Sequence, residues 1–216
     1  MTHWDDVVLM SDLRVASLPA GGSDEPLVDV RGQLGFGDLH GSDDAAHVRA
    51  GLLRRLLVAD RALPDGLRLL VVEGYRPPEL QRRYFTSYAA RLAVDDPALS
   101  PEEVHRLASR YVSPPDVAPH SAGAAVDVTL LGPDGHEVWM GCGLNDSPED
   151  SEGRCYTRHP DVRGAAREMR DVLTAALSAV GLVNYPTEWW HWSHGDRYWA
   201  MVTGADRAPY ATVERV

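Results

Sequence analysis

Lysine is absent from this chain, so each of its 21 basic residues is an arginine. The absence excludes a catalytic lysine, and it is typical of a high-GC coding sequence rather than of a particular chemistry. The 32 acidic residues outnumber the basic ones, which gives a formal net charge of −11. This excess of negative charge disfavours nucleic acid and anionic membranes as partners.

Cysteine and long apolar runs are also scarce. The two cysteines, Cys142 and Cys155, are too few for a disulfide framework, and we expect free thiols in a loop. No apolar stretch approaches the roughly 20 residues needed to cross a bilayer. Residues 1–6 lack the basic and apolar segments of a signal peptide. These features predict a cytoplasmic protein.

The 216 residues, 44% hydrophobic and 25% charged, have the composition of an ordinary globular protein large enough for its own core. Periodicity and capping signals predict helices over residues 43–63, 78–92, 101–111 and 162–180. Alternation and short apolar runs predict strands over residues 68–73, 126–130, 137–140, 187–193 and 198–202. This order is typical of an α+β fold, with helices packed on a small, mostly antiparallel sheet.

Two segments carry the residues with the clearest chemistry. Residues 120–127 read His-Ser-Ala-Gly-Ala-Ala-Val-Asp, and residues 188–192 read Glu-Trp-Trp-His-Trp. They supply three candidate metal ligands: His120, Asp127 and His191. Two imidazoles, one carboxylate and an open fourth position are typical of a catalytic zinc site. Glu188 is left over as a carboxylate that can take a proton from water at the metal.

Each segment alone also has a plainer interpretation. The first can be a surface histidine followed by an exposed strand aspartate, and in the second the tryptophans can form a core patch with His191 incidental. Convergence requires a tight turn around Gly123. Glu188 and His191, three apart, would face opposite sides of an ideal strand, so either Glu188 precedes the strand or a bulge re-aims one of them. The remaining histidines lie in polar, helical or turn segments: His3, His40, His47, His105, His136, His159 and His194.

Together with Glu73-Gly74-Tyr75-Arg76-Pro77, these segments closely resemble the zinc D-alanyl-D-alanine dipeptidases, the VanX-type branch of the D-Ala-D-Ala peptidases. The motifs stand in the family's order, and residues 11–16 are similar to its N-terminal Asp-Leu-Arg stretch. The resemblance implies the D-Ala-D-Ala peptidase or hedgehog-like α+β fold. It also implies a single zinc peptidase domain over residues 1–216, with its core at about 10–203.

The resemblance further implies a role for each matching residue. One zinc ion per chain would be held by His120, Asp127 and His191, with Glu188 as general base. Arg76 matches the arginine that stabilises the tetrahedral intermediate, and Asp146 falls where the family has an aspartate for the substrate ammonium. The expected substrate is D-Ala-D-Ala or a similar small dipeptide.

Departures from the family pattern leave the substrate open. Residues 140–146 read Met-Gly-Cys-Gly-Leu-Asn-Asp, where the family usually has Met-Gly-Thr/Ser-x-Phe-Asp. Ala118 stands where many members have a serine that helps to hold the substrate carboxylate. Two alternatives remain: a D,D-carboxypeptidase acting on larger cell-wall peptides, and a zinc-stabilised binding module without turnover. The sequence does not determine the oligomeric state.

Overall fold

The computed structural model describes residues 7–37 and 41–214. His3, His40 and the segment 1–6, on which the expectation of no signal peptide rests, lie outside this part. The helices are α1 (Leu13–Ala16), α2 (Ala50–Ala62), α3 (Pro78–Asp95), α4 (Pro101–Ala108), α5 (Gly164–Ala179) and α6 (Arg197–Thr203). The strands are β1 (Leu27–Asp29), β2 (Gly35–Phe36), β3 (His47–Arg49), β4 (Arg68–Glu73), β5 (Ala125–Leu131), β6 (Val183–Asn184) and β7 (His191–Ser193). Short 3₁₀ helices span Asp43–Ala46 and His120–Ala122.

The main sheet has five strands in the order β2-β4-β5-β7-β6. Only β2 and β4 pair in parallel, and the other three pairings are antiparallel. Strands β1 and β3 form a separate antiparallel pair. The predicted α+β fold with a small, mostly antiparallel sheet is therefore confirmed.

The two faces of β5 have different neighbours. Val126, Val128 and Leu130 belong to the main apolar core. The core is completed by residues from helices α2 and α5 and from the segment around β7: Leu52, Leu56, Leu173, Leu177, Trp189, Trp190 and Trp192. Because strand side chains alternate between faces, Asp127 points away from this core. It is nevertheless buried.

The predicted helix over residues 43–63 is wrong in its first third, residues 43–49. Ser42 precedes the 3₁₀ helix but makes no side-chain cap, and residues 47–49 form β3 before α2 begins at Ala50. Pairing with β1 accounts for the difference, because Val48 lies opposite Val28 in a ladder that a helical chain could not form. A long-range pairing thus overrides the local helical pattern.

The strand predicted over residues 198–202 is also wrong, because these residues form α6. The Asp196 carboxylate accepts hydrogen bonds from the backbone N–H groups of Tyr198 and Trp199, at 3.0 and 3.2 Å. Gly204, with φ of +71°, ends the helix in the left-handed conformation. Aspartate before and glycine after are helix signals that outweigh the strand propensity of the aromatic residues.

Two smaller differences concern the extent of predicted elements. The Ser100–Glu103 capping box is present as predicted, but α4 ends at Ala108 rather than near residue 111. Residues 137–140 form only an isolated bridge to β5, between Glu137 and Leu131, instead of a regular strand. Within the described ranges, no helix is both long enough and apolar enough to cross a bilayer.

Candidate metal centre and active site

Strand register brings three distant acidic and basic side chains into one row. Asp127 on β5 lies opposite Glu73 on β4 and opposite His191 on β7. Directly opposed residues of antiparallel strands have Cβ atoms about 5 Å apart on the same face of the sheet. The β4 register shifts between Val71 and Glu73, and this irregularity sets Glu73 opposite Asp127.

His120 reaches the same place through the turn that leads into β5. Residues His120–Ala122 form one 3₁₀ turn, and Gly123 follows with φ of +64°. A Cβ at Gly123 would lie 2.1 Å from the Leu27 side chain, so only glycine fits this close approach. The tight turn that convergence of His120 and Asp127 requires is therefore present.

The ring of His120 is oriented by a carbonyl group. Its Nδ1 lies 2.6 Å from the Gly74 carbonyl oxygen, and Nδ1–H donates this bond, which leaves the Nε2 lone pair directed at the cluster. Gly74 itself cannot carry a side chain, since a Cβ there would lie 2.4 Å from the His47 carbonyl oxygen. The glycine in the Glu73–Pro77 motif thus permits an orienting contact to a candidate ligand.

Three donor atoms form a small triangle. His120 Nε2 lies 3.1 Å from His191 Nδ1 and 3.3 Å from Asp127 Oδ1, and the last two atoms are 3.1 Å apart. Zinc–ligand distances of about 2.0–2.1 Å in a tetrahedral site place ligands about 3.3 Å from one another. All three residues are buried, and each offers one ligand atom to the same point. The donor set and its spacing therefore fit zinc.

Glu188 lies beside this triangle but belongs to a turn. Glu188 N donates to the Tyr185 carbonyl and His191 N donates to the Glu188 carbonyl, so β7 begins only at His191. Of the two arrangements considered for Glu188, the structure has the one in which it precedes the strand. Its Oε2 lies 3.7 Å from His191 Nδ1, close enough to act on a molecule held at the triangle.

Arg76 is held beside the cluster by three hydrogen bonds. Its Nε and Nη2 donate to the two carboxylate oxygens of Glu73 at 2.7 and 2.5 Å, and Nη1 donates to Gln81 Oε1 at 2.8 Å. The guanidinium also lies over the Tyr84 ring, 5.0 Å from its centroid. Since a guanidinium has five N–H donors, two beyond these bonds can serve a ligand.

The pKa values of the two carboxylates, Glu188 and Asp127, are shifted in opposite directions. Burial raises the pKa of Glu188 well above its usual value, and the nearby Asp127 charge raises it further, against the opposing effect of Arg76. Burial also acts to raise the pKa of Asp127, but His120 and His191 outweigh it and hold that pKa below its usual value. Asp127 is thus suited to remain an anionic ligand, whereas Glu188 is suited to hold or release a proton.

The pKa values of His120 and His191 are also shifted in opposite directions. Burial lowers the pKa of His191. Burial also acts to lower the pKa of His120, but Asp127 outweighs it and raises that pKa. His191 Nε2 is buried without a hydrogen-bond partner within residues 7–37 and 41–214. A proton on Nε2 leaves the Nδ1 lone pair free for a metal, as the donor triangle requires.

These groups line a cavity of about 410 Å³. That volume lies at the lower end of the range for small-molecule sites. Its wall consists of Glu73, Arg76, Tyr84, Ser87, Tyr88, Arg91, Tyr111, Val112, Ser113, His120, Asp127, Asn145, Glu188, Trp190 and His191. On the side formed by α3, the wall includes the aromatic rings of Tyr84 and Tyr88.

Asp146 is not brought together with the other candidate residues. It is absent from the cavity wall, and its Oδ2 accepts a hydrogen bond of 2.6 Å from the Gly143 backbone N–H. Its neighbour Asn145 does line the cavity, and the Asn145 carbonyl accepts a hydrogen bond from Tyr111 Oη at 2.5 Å. The ammonium-binding role of Asp146 stays a prediction.

Several residues of the site were not assigned a role from sequence. Glu73 and Gln81, both buried, fix the guanidinium of Arg76. Glu73 could have been identified from sequence, because it ends an apolar strand and precedes Arg76 by three residues. No sequence signal pointed to Gln81.

The predicted free thiols are confirmed: Cys142 and Cys155 are both free and buried.

Two histidines, one aspartate and an adjacent glutamate are a residue set typical of catalytic zinc sites in hydrolases. The D-Ala-D-Ala dipeptidase family matches residues 50–209. A D-alanyl-D-alanine dipeptidase of Synechocystis sp. is 30% identical over 175 residues, which cover 71% of each chain. One of Escherichia coli is 31% identical over 128 residues, covering 59% of this chain and 55% of the relative. The chain belongs to the D-Ala-D-Ala dipeptidase family and is a metallopeptidase.

Similar solved structures include the LD-carboxypeptidase LdcB, with a TM-score of 0.48 and 17% identity over 87% of this chain and 76% of that one. VanYB in complex with D-alanine-D-alanine gives a TM-score of 0.41 and 19% identity, covering 84% of this chain and 85% of that one.

Proposed function

We propose that this chain hydrolyses D-alanyl-D-alanine, or a similarly small dipeptide of D-residues, with one zinc ion per chain held by His120, Asp127 and His191. The observation that carries the proposal is the donor triangle with 3.1–3.3 Å edges beside a carboxylate, Glu188, that takes no part in it. A structural zinc site is usually closed by four protein ligands, whereas three ligands leave a position for water or substrate. The names of the two similar dipeptidases support the substrate class.

When bound, zinc acts as a Lewis acid and lowers the pKa of water toward neutrality. The chain's own residues supply the proton transfers. Glu188 accepts a proton from the attacking water at its carboxylate and delivers it to the leaving amine. Burial raises the pKa of Glu188 in the metal-free chain, which is consistent with a carboxyl group that carries a proton between water and amine.

Arg76 supplies the second catalytic interaction. Its remaining N–H donors pair with the oxygen that becomes negative as the peptide carbonyl is attacked, an interaction of about 3 kcal/mol for one well-placed donor. Glu73 and Gln81 hold the guanidinium in place before substrate binds, so little reorganisation is needed during the reaction. Asp146 is proposed as the ammonium partner only if the 143–146 turn releases its carboxylate from Gly143.

The hydrogen bonds that hold the cavity wall together favour a small substrate. The loop that contributes Asn145 is tied to α3 and to the segment after α4 through Glu149. The Glu149 carboxylate accepts hydrogen bonds from Tyr88 Oη at 2.6 Å and Arg110 Nη2 at 2.8 Å. Arg91 adds a bond to Ser147 Oγ at 3.1 Å. A wall held by this many contacts disfavours the alternative of an open cleft for larger cell-wall peptides.

The test is a substrate panel with the zinc-loaded protein: D,D-, L,D-, D,L- and L,L-dialanine, and N-acetylated D-Ala-D-Ala. The proposal expects the highest kcat/KM on free D-Ala-D-Ala. Faster cleavage of the N-acetylated compound would favour a D,D-carboxypeptidase instead. Zinc binding without turnover of any member would favour the non-catalytic binding module. The cytoplasmic location stays a prediction, as does the extent of the domain over residues 1–216.

A further inference from the structure

Val213 joins the two turns that carry Arg76 and His120. Its carbonyl oxygen accepts a hydrogen bond of 2.7 Å from Tyr75 Oη, and its N–H donates one of 2.8 Å to the Ser121 carbonyl. Tyr75 directly precedes Arg76, and Ser121 directly follows His120. The backbone of one residue near the C-terminus therefore bridges the neighbours of a catalytic arginine and of a metal ligand.

The two turns also contact each other directly. Ser121 Oγ donates to the Arg76 carbonyl at 2.9 Å, and Arg76 N donates to the His120 carbonyl at 3.2 Å. The His120 ring takes its orientation from Gly74, which belongs to the first turn. A shift of one turn against the other would therefore change the direction of His120 Nε2. Val213 closes this network from a third segment.

The chain leading to Val213 is itself fixed at several points. Tyr210 N donates to the Gly195 carbonyl at 3.1 Å, and Tyr210 Oη donates to the Glu25 carboxylate. Arg49 donates through Nη2 to the Ala211 carbonyl at 3.2 Å and through Nε to the Ala122 carbonyl at 2.8 Å. The same arginine thus holds both the tail and the end of the His120 turn.

We propose that residues 208–213 form a C-terminal clasp that holds the His120 and Arg76 turns at the separation needed for metal ligation, with Val213 as the positioning residue. The family match ends at residue 209, so the part of the clasp that reaches the site lies outside it. The proposal rests on the proposed function for the identity of the metal. Partners that orient a metal-ligating histidine typically change metal affinity about 10- to 100-fold when removed.

The clasp differs from a merely stabilising tail in what it contacts. The buried apolar cluster at this place contains only Ala122, Ala124 and Tyr210. Val213 itself is half-buried. Its backbone bonds, in contrast, end on Tyr75 and Ser121, which are both fully buried next to site residues. Loss of these bonds is therefore expected to affect the metal site more than global stability.

The experiment compares Val213→Pro and Tyr75→Phe in the full chain. Proline removes the N–H that bonds Ser121, and phenylalanine removes only the hydroxyl that bonds Val213. Asp206→Pro is the matched control, because it places the same ring in the chain just before the clasp. Asp206 is exposed, and its N–H makes no hydrogen bond to the described part of the chain. Two quantities are measured: the zinc Kd, by competition with a chromophoric chelator, and the urea midpoint of the metal-free chain.

Both variants are expected to raise the zinc Kd about tenfold or more, with the urea midpoint little changed, while Asp206→Pro keeps the wild-type Kd. An unchanged zinc Kd in both variants would overturn the clasp, as would a Kd that rises equally in Asp206→Pro. These results do not depend on turnover. If the wild-type protein binds zinc tightly but cleaves no dipeptide, the proposed function fails and the clasp is still judged by the Kd values.

Discussion

Glu73 and Arg76 form a buried, bidentate ion pair in the wall of the cavity, with N–O distances of 2.7 and 2.5 Å. The pair joins the end of β4 to the turn that follows it, so Arg76 is fixed by a residue of the central sheet. Burial acts to lower the pKa of Arg76, but the charge of Glu73 outweighs it and raises that pKa above its usual value. Arg76 therefore remains a cation at neutral pH.

Because the two charges are buried together, the double substitution should cost less stability than the substitution of Arg76 alone. Arg76→Gln leaves the Glu73 carboxylate buried without the opposite charge of the guanidinium, and we expect a loss of about 3–5 kcal/mol in the free energy of unfolding. Glu73→Gln combined with Arg76→Gln should recover part of that loss. Both proteins should lose about 100-fold in kcat, because the proposed oxyanion partner is gone. Urea unfolding and steady-state kinetics provide the measurements, and a double variant no more stable than Arg76→Gln would contradict the interpretation.

Glu188→Gln tests the proton-transfer role. The substitution preserves size and leaves the three donor atoms in place, so zinc should still bind with unchanged affinity. Turnover of D-Ala-D-Ala should fall about 10²- to 10⁴-fold, the usual contribution of a general acid–base group. Glu168→Gln, on the exposed side of α5, is the matched control. A Glu188→Gln protein with bound zinc and wild-type kcat would remove Glu188 from the mechanism.

Metal removal should abolish activity reversibly. Treatment with a chelator is expected to eliminate hydrolysis, and one equivalent of zinc per chain should restore it. Zinc at about a thousandfold excess over its Kd should add about 4 kcal/mol to the free energy of unfolding. His120→Ala and Asp127→Ala should bind no stoichiometric zinc by elemental analysis, whereas His136→Ala, at an exposed turn, should bind it normally. Full activity in the chelated protein would exclude a metal mechanism.

His194 predicts a specific pH dependence of stability. Burial and then Arg55 lower the pKa of His194 from 6.5 to about 4. Between these pH values the unfolded chain binds a proton that the folded chain does not, so this residue makes the free energy of unfolding fall as the pH falls. Above pH 6.5 both states are neutral at this residue, and the effect disappears.

His194→Gln should therefore flatten the decrease in stability between pH 6.5 and pH 4 in the metal-free protein. Urea midpoints at a series of pH values, measured on wild type and variant together, isolate the contribution of this residue. His136→Gln is the control, because His136 is exposed. An identical pH dependence in wild type and His194→Gln would show that the residue titrates normally in the folded chain.

The outcomes for individual elements show where sequence patterns were sufficient. The Ser100–Glu103 capping box involves four adjacent residues, and it formed as predicted. The helix expected to start after Ser42 failed because β1, some twenty residues earlier, pairs with residues 47–49. The strand expected over residues 198–202 was wrong, although the signals for a helix were local. The Asp196 cap and Gly204 mark the two ends of α6, and they outweigh the strand propensity of the aromatic residues.

The sequence by itself determined the chemical types available: two imidazoles, an aspartate and a spare glutamate in two short motifs of a known family. It also determined the local turn at Gly123, because glycine adopts the left-handed conformation without strain. These features depend on neighbours within a few residues, which is why they can be read from a pattern.

Only the tertiary structure decided which of these side chains meet. The row of Glu73, Asp127 and His191 depends on the registers of β4, β5 and β7, and a one-residue slip in any of them would turn a side chain to the other face. The hydrogen bonds from Tyr75 to Val213 and from Val213 to Ser121 span more than ninety residues of chain. Such contacts are set by the packing of the whole domain, so no local pattern could encode them.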